Sequence, residues 1–475
     1  SDVYSSDLPV TAYDDIDYGG YSGGLKLGDY DADALERTGF TPASIKALRV
    51  AEGYKVVLFA GDSFTGDSLV VTANQANLAA WADRTVSLKV LSNGVTVAKG
   101  NYFIKPVESS SIMGIDGGIK STEDGKKVKL FRNTGAINQQ CRFVEVRDRI
   151  YRIESVSSQK SLEIDNFSKA AGAEVQQWKT STDAANQQFI LVPVNDEDVF
   201  KILSCYSGKI LEATSLSSLA QIIQSEDVNQ LNARWQLEPV PPLADGKGNG
   251  LTAEYYNGTA FNTLQTSQID TTINFSWGTA KPHRSVNADN FSIRWQGKIE
   301  PRASGEYTFY VNSDNGRRLW VNNQLVIDKW LDDYDIEYEG NITLQANELY
   351  DIKLEYFESN GGAYCRLEWL NLKQPREIVP RSQLYSLDYS GVDELNADDF
   401  FLLFPNPASG QLRVSVNEVY NGGMLKISDL SGRTILTQQL GMSDNKVDIA
   451  GIPSGVYLVL FTGGNKSGVK KLIVR

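Results

Sequence analysis

Histidine, cysteine and long apolar runs are what this chain has least of, and each shortage removes a class of function. Among 475 residues there is one His, His283, so a site that needs two imidazoles is excluded. The three Cys, at positions 141, 205 and 365, are too few and too scattered for a structural zinc cluster or a disulfide framework. Their odd number leaves at least one thiol without a partner inside the chain, and they read as small buried hydrophobes. No stretch approaches the ~20 apolar residues that span a bilayer, so no transmembrane segment is expected. The longest, such as GVYLVLF at 455–461, have the length of a strand. Long helical periodicity is missing as well, and only residues 33–37 and 74–81 read as short helical turns. Lys and Arg number 46 against 59 Asp and Glu, with no basic run, so the net charge of −13 argues against nucleic acid or an anionic membrane surface as partner. Paired-carboxylate catalysis is the one enzymatic chemistry that composition leaves open. The chain begins on Ser with no charged start and apolar core, and is read as a processed product or an excised portion.

What is abundant points to strands. Forty Gly, 22 Tyr and 18 Phe, with short alternating runs such as KVVLF, LRVSV and YLVLF, make an all-β pattern of short strands and tight turns. At roughly one domain per 150 residues the length allows about three domains, and repeats raise the count to four. The first repeat is a pair of elements about 46 residues apart: Tyr13 then Gly20 and Ser22, Phe59 then Gly66 and Ser68. An aromatic followed at fixed spacing by Gly suits a folded hairpin whose Gly takes positive φ. With SIKALRV and RTVSLKV closing the two halves, residues 10–93 resemble a βγ-crystallin domain, a Greek-key sandwich. Many microbial members of that family bind calcium through paired loops. Here the first loop, from Pro42 to Ala47, has lost its ligands, leaving Asp83 and Ser87 of the second as candidates. Calcium takes six to eight oxygens, so tight binding is not expected at these loops.

A threefold repeat follows. YFIKPV, YRIESV and FKILSC begin 49 residues apart, and the units end alike on NQQCRFVEV, NQQFILVPV and NARWQLEPV. Units of this size must share one core around a pseudo-threefold axis. Residues 100–242 resemble the ricin B-type β-trefoil lectin. A sugar site there needs a carboxylate, an aromatic platform and an amide. The second repeat offers Asp165, Trp178 and Asn186 in the family's order, and the first offers Asp116, Phe131 and Asn138. In the third, Ala213 and Ser225 replace the acid and the aromatic, leaving Asn232 alone, so that repeat is expected to be inactive. The alternative reading is that the three Asn only brace the repeat ends.

Between Gly248 and Ser386 stand GLTAEYYNG, an S-G-E-Y-T-F turn, the S-D-N-G-R-R-L-W-V hairpin and Y-D-I-K-L-E-Y. These resemble the protective-antigen-type domain of fourteen kilodaltons, a β-sandwich. Sugar-binding members hold calcium with two adjacent Asp joined by a cis peptide. The aligned pair here is Asp314-Asn315, a metal candidate with one charge fewer, or a turn whose side chains cap their own backbone. Acidic clusters such as Asp332, Asp333 and Asp335 read as solvated loops. After a polar linker at 387–399, FPNP, D-L-S-G-R, P-S-G-V-Y and the basic-apolar tail give residues 400–475 a resemblance to the C-terminal sorting domain of the type IX secretion system. It implies export across the outer membrane of a Bacteroidetes-type bacterium, with that machinery as a partner.

The expected fold class is thus all-β, with four small domains: Greek-key sandwich, β-trefoil, β-sandwich and Ig-like sorting domain. The expected function is non-catalytic carbohydrate binding, directed at polysaccharide or cell-surface glycan from outside the cell. Alternatives are an accessory region of a larger secreted glycoside hydrolase and a cell-surface adhesin.

Overall fold

Apolar and polar residues alternate through most of the chain, and in the computed structural model this pattern becomes antiparallel sheet throughout. Residues 8–194, 198–389, 401–416, 423–441, 444–463 and 466–475 are described, so most of the expected linker lies outside them. Strand Tyr54–Phe59 is typical, with Tyr54, Val56 and Leu58 turned inward and Lys55, Val57 and Phe59 less buried. Among the described residues the one α-helix is Ala32–Arg37, started by the Asp31 carboxylate accepting the Ala34 N–H. The turn expected at 74–81 shrinks to a single 3₁₀ turn at Ala79–Trp81.

The N-terminal unit is crystallin-like. A three-stranded sheet faces a four-stranded one, and the two halves interlock because Gly28–Tyr30 of the first half pairs with Ser87–Ser92 of the second. The duplicated hairpin is visible in the rings. Tyr13 meets Tyr18 edge-on at 5.4 Å and Phe59 meets Phe64 at 5.8 Å, while Gly20 and Gly66 sit at φ of 72° and 78°.

The three repeats of the trefoil share one core. Ile104, Met113 and Leu130 from the first repeat, Ile153, Leu162 and Val175 from the second, and Ile202, Leu211 and Trp235 from the third close on one another. Crystallin-like and trefoil units adjoin through continuous apolar packing in which Val50 and Tyr54 join Ile190, Val192 and Leu203. Strands from Leu251 to Ser386 form a sandwich of a seven-stranded and a five-stranded sheet around Trp295, Tyr307, Phe309 and Trp369. This sandwich docks on the trefoil through Ile137, Val156, Tyr310 and Leu370 and through a backbone hydrogen bond from Ile137 N to Leu372 O of 2.8 Å. The C-terminal unit packs a three-stranded against a four-stranded sheet around Leu412, Ile427, Val459 and Leu472. Cys141 and Cys365 are buried in cores, where loss of solvent pushes the Cys141 thiol up to about 12.

Candidate functional site

Each trefoil repeat places a short hairpin at the same point, and the registers show which residues are equivalent. Gly114 faces Lys129, Glu163 faces Gln176 and Glu212 faces Ile223; three of these residues, 114, 163 and 212, are separated by the 49-residue period. Phe131, Trp178 and Ser225 on the second strands of the same hairpins face Ile112, Ser161 and Ile210, again 49 residues apart. The repeats therefore carry glycine with phenylalanine, glutamate with tryptophan, and glutamate with serine. A carboxylate and an indole coincide only in the second.

A cavity of about 520 Å³ opens there, lined by Glu163, Gln176, Trp178, Gln187, Asn166 and Phe167. Trp178, 43% exposed, lines the cavity with part of its indole, and Phe167 stands at 53%. Glu163 is 6% exposed and is held by two amides, Gln176 Nε2 at 3.1 Å and Gln187 Nε2 at 3.0 Å. Gln187 is fixed in turn by Lys179 O and by the Ser181 N–H. A carboxylate clamped this way keeps lone pairs for further donors and cannot swing away.

Asp165, the sequence candidate, stands elsewhere. Its Oδ2 accepts from Lys127 Nζ at 2.8 Å, and the same ammonium reaches Glu174 at 3.0 Å. Asp165 is absent from the cavity lining, and the carboxylate beside Trp178 is Glu163. The reason is where the strand stops: alternation would keep 163 and 165 on one face, but the strand ends at Ile164 and the chain turns at Asp165–Phe167. Asn186 also differs from expectation, being fully buried with Nδ2 donating to Ile164 O at 3.0 Å. Asn138 donates to Ile115 O at 2.9 Å and Asn232 to Ala213 O at 2.6 Å, so all three brace the hairpin of their own repeat. Asn186→Ala should cost about 1–3 kcal/mol of stability in urea denaturation, whether or not a ligand is present, because the Ile164 carbonyl would be left unpaired.

In the first repeat Asp116 is bound to Lys129 at 2.6 Å, and that hydrogen bond holds its carboxyl below the usual range. Phe131 lies over Gly114, where an added Cβ would meet the ring at 3.0 Å, so ring and glycine close the place that Glu163 occupies in the second repeat. The third repeat keeps Glu212, hydrogen-bonded to Asn232 at 2.8 Å, but Ser225 offers no platform.

Ser87 is buried, donating to Gly61 O and accepting from Phe64 N–H, so its hydroxyl is engaged in the crystallin-like core. The Asp314-Asn315 peptide is cis, and Asn315 Oδ1 accepts the Ser359 N–H at 2.8 Å. Burial, with Asp332 nearby, raises the Asp314 carboxyl. Asp333 is not a solvated loop residue, for it pairs with the fully buried Arg317 and accepts from Tyr338 Oη at 2.8 Å. Among the described residues no group of three or more His, Cys, Asp and Glu is gathered as a metal site. Ser87 is thus engaged within its own domain, whereas the cis pair keeps Asp314 beside Asp332 and Glu358. Calorimetric titration with calcium should release no heat at micromolar concentration. A heat abolished by Asp314→Ala would assign an ion to the cis pair, and one abolished by Asp83→Ala to the crystallin-like loop.

Three family models match the chain: the PA14 domain over 247–383, the secretion system C-terminal sorting domain over 402–475 and the ricin-type beta-trefoil lectin domain-like family over 89–178. None of the three is catalytic. The chain is similar to anti-sigma-I factor RsgI3 of Acetivibrio thermocellus, 45% identical over 146 residues, which is 31% of this chain and 23% of that protein. It is also similar to the development-specific protein S homolog of Myxococcus xanthus, 29% identical over 26% of this chain and 80% of that protein. Among solved structures, a betagamma-crystallin domain from Flavobacterium johnsoniae is 37% identical, covering 18% of this chain and 99% of its own, with a TM-score of 0.18. The chain thus combines crystallin-like, ricin B lectin-like, PA14 and sorting domains, and the last indicates export by type IX secretion to the surface or the medium. No helix among the described residues is long and apolar enough to cross a membrane.

Proposed function

We propose that the chain is a non-catalytic glycan-binding protein, or the binding region of a larger secreted one, acting on polysaccharide or cell-surface glycan. The observation that carries this reading is the second-repeat cavity, where Trp178 presents part of its indole beside Glu163, Gln176 and Gln187. A pyranose has an apolar C–H face and a rim of hydroxyls. The ring takes the first by stacking and the clamped carboxylate accepts from two of the second, the division of labour expected of a concave site with few, well-placed polar groups. The sugar-binding role passes from Asp165 and Asn186 to Glu163 and Gln187, with Trp178 retained. Asp116, Phe131 and Asn138 are left to structure.

A single shallow site of this kind binds near the millimolar range, about −4 kcal/mol. Tethering it to further binding modules raises the effective affinity for a polymer. The test is co-sedimentation of the chain with insoluble polysaccharides together with a glycan array. Retention by at least one glycan is expected, and no binding to either would overturn the proposal.

A further inference from the structure

The seam between trefoil and PA14 sandwich encloses a second cavity of about 870 Å³, larger than the one beside Trp178. Its walls come from both units: Asn101, Tyr102 and Gln140 from the trefoil, and Arg302, Gln374 and Glu377 from the sandwich, with the connecting segment supplying Pro241, Pro242 and Asp245. The two units are held in register beside it by the Ile137 to Leu372 backbone bond and the Lys120–Glu339 ion pair at 3.1 Å. Gln374 is the feature that asks for a ligand. It is 1% exposed, yet neither Nε2 nor Oε1 has a partner. A buried amide with both donor and acceptor unmet is destabilising unless something that both donates and accepts arrives there.

Charge on the sandwich wall of the cavity is compensated at Arg302, while Lys99 and Lys373 add two ammonium groups to the lining. Arg302 lies between Glu377 at 2.6 Å and Asp245 at 2.5 Å, so neither an anion nor a cation finds an uncompensated partner on that wall. Tyr102, Phe103 and the prolines give apolar surface between the polar groups. Volume, a compensated Arg302, hydroxyl-matching amides, ammonium groups able to donate to hydroxyls, and apolar walls together describe a pocket for a small polyhydroxylated molecule.

We infer that this interdomain cleft is a second saccharide site, taking a neutral oligosaccharide with Gln374 hydrogen-bonded to its hydroxyls at the cavity floor. The ligand class rests on the glycan reading given above, whereas the site is independent of the trefoil cavity. The full chain carrying Trp178→Ala and Glu163→Gln, which silence the trefoil cavity, is titrated with xylohexaose, cellohexaose, maltohexaose and mannohexaose and followed by saturation-transfer NMR. At least one probe should still bind, and adding Gln374→Met should weaken it by tenfold or more. Lys373→Trp, at the exposed rim, should do the same without touching the floor. Gln374→Met should also raise the thermal midpoint of the unliganded chain, since an apolar side chain of similar length replaces an unsatisfied amide. Loss of all probe binding in the Trp178/Glu163 variant would overturn the cleft and leave the trefoil site standing. Unchanged binding with Gln374→Met and Lys373→Trp, or a lowered midpoint, would overturn it as well. Binding that survives the first pair and disappears with the second would uphold the cleft even if the trefoil reading failed.

Discussion

Trp178→Ala combined with Glu163→Gln should take binding of a monovalent oligosaccharide to the trefoil from the millimolar range to below detection, a loss of well over tenfold, measured by calorimetry or NMR titration. The estimate follows from what each group does. Removing the indole takes away the platform for the sugar's C–H face, worth about 1.5–3 kcal/mol for a large apolar contact. Replacing Glu163 by Gln turns charge-assisted hydrogen bonds into neutral ones, each losing about 1 kcal/mol, and exchanges one acceptor for a donor that faces Gln176 and Gln187. Asp165→Ala should change affinity by less than about threefold, because its carboxylate is turned to Lys127 and away from the cavity. A short soluble probe matters here, since avidity on a polymer would mask the loss. A large effect of Asp165→Ala with none from Glu163→Gln would return the site to the residue first expected from sequence.

The contrast between Glu163 and Asp165 shows where the sequence was readable. Repeat starts and ends, recurring at 49 residues, gave the trefoil, and the aromatic-to-glycine spacing gave the crystallin-like hairpins. Those signals survive because turns and cores demand particular residues at particular intervals. Trp178 was legible through the same repeat, standing between Asp165 and Asn186 in the order of the lectin family's site. Choosing between two acids two residues apart needed the point where the strand stops, and strand ends are not marked in the sequence. The period did hold a usable signal: Gly114, Glu163 and Glu212 occupy one repeat position, so aligning the units on their hairpins would have singled out the acid. The Asn residues were ambiguous because amides serve both bracing and ligand binding, and only the shared contacts to Ile115, Ile164 and Ala213 decide it. Gln374 and the pairing of Asp333 with Arg317 could not be read at all, since each depends on groups brought from other segments.

Glu358→Gln should stabilise the PA14 sandwich at pH 8 by on the order of 4 kcal/mol and leave it nearly unchanged at pH 4. Glu358 ends strand Tyr350–Glu358, is fully buried, and has no hydrogen-bond partner for either carboxyl oxygen. Loss of solvent is the main cause that pushes its pKa up to about 8, and the neighbouring carboxylates Asp314, Asp289 and Asp332 push the same way. In the unfolded chain a glutamate loses its proton near pH 4.3. Between that value and 8 the folded state holds a proton that the unfolded state has released, so stability must fall as pH rises through this window. Below it both states are protonated and Gln imitates the acid. Above it the wild-type protein carries a buried, unpaired charge that Gln does not. Asp314, raised by the same causes, adds to the slope in the same direction. The measurement is urea denaturation in the presence of EDTA, followed by tryptophan fluorescence, because five of the eight Trp (277, 295, 320, 330 and 369) lie in this sandwich. A wild-type stability that is flat from pH 5 to 8, or a Glu358→Gln variant less stable than wild type at pH 8, would show that the carboxylate is paired in solution. Restoration of the wild type at pH 8 by added calcium would identify the partner as a cation held with Asp314.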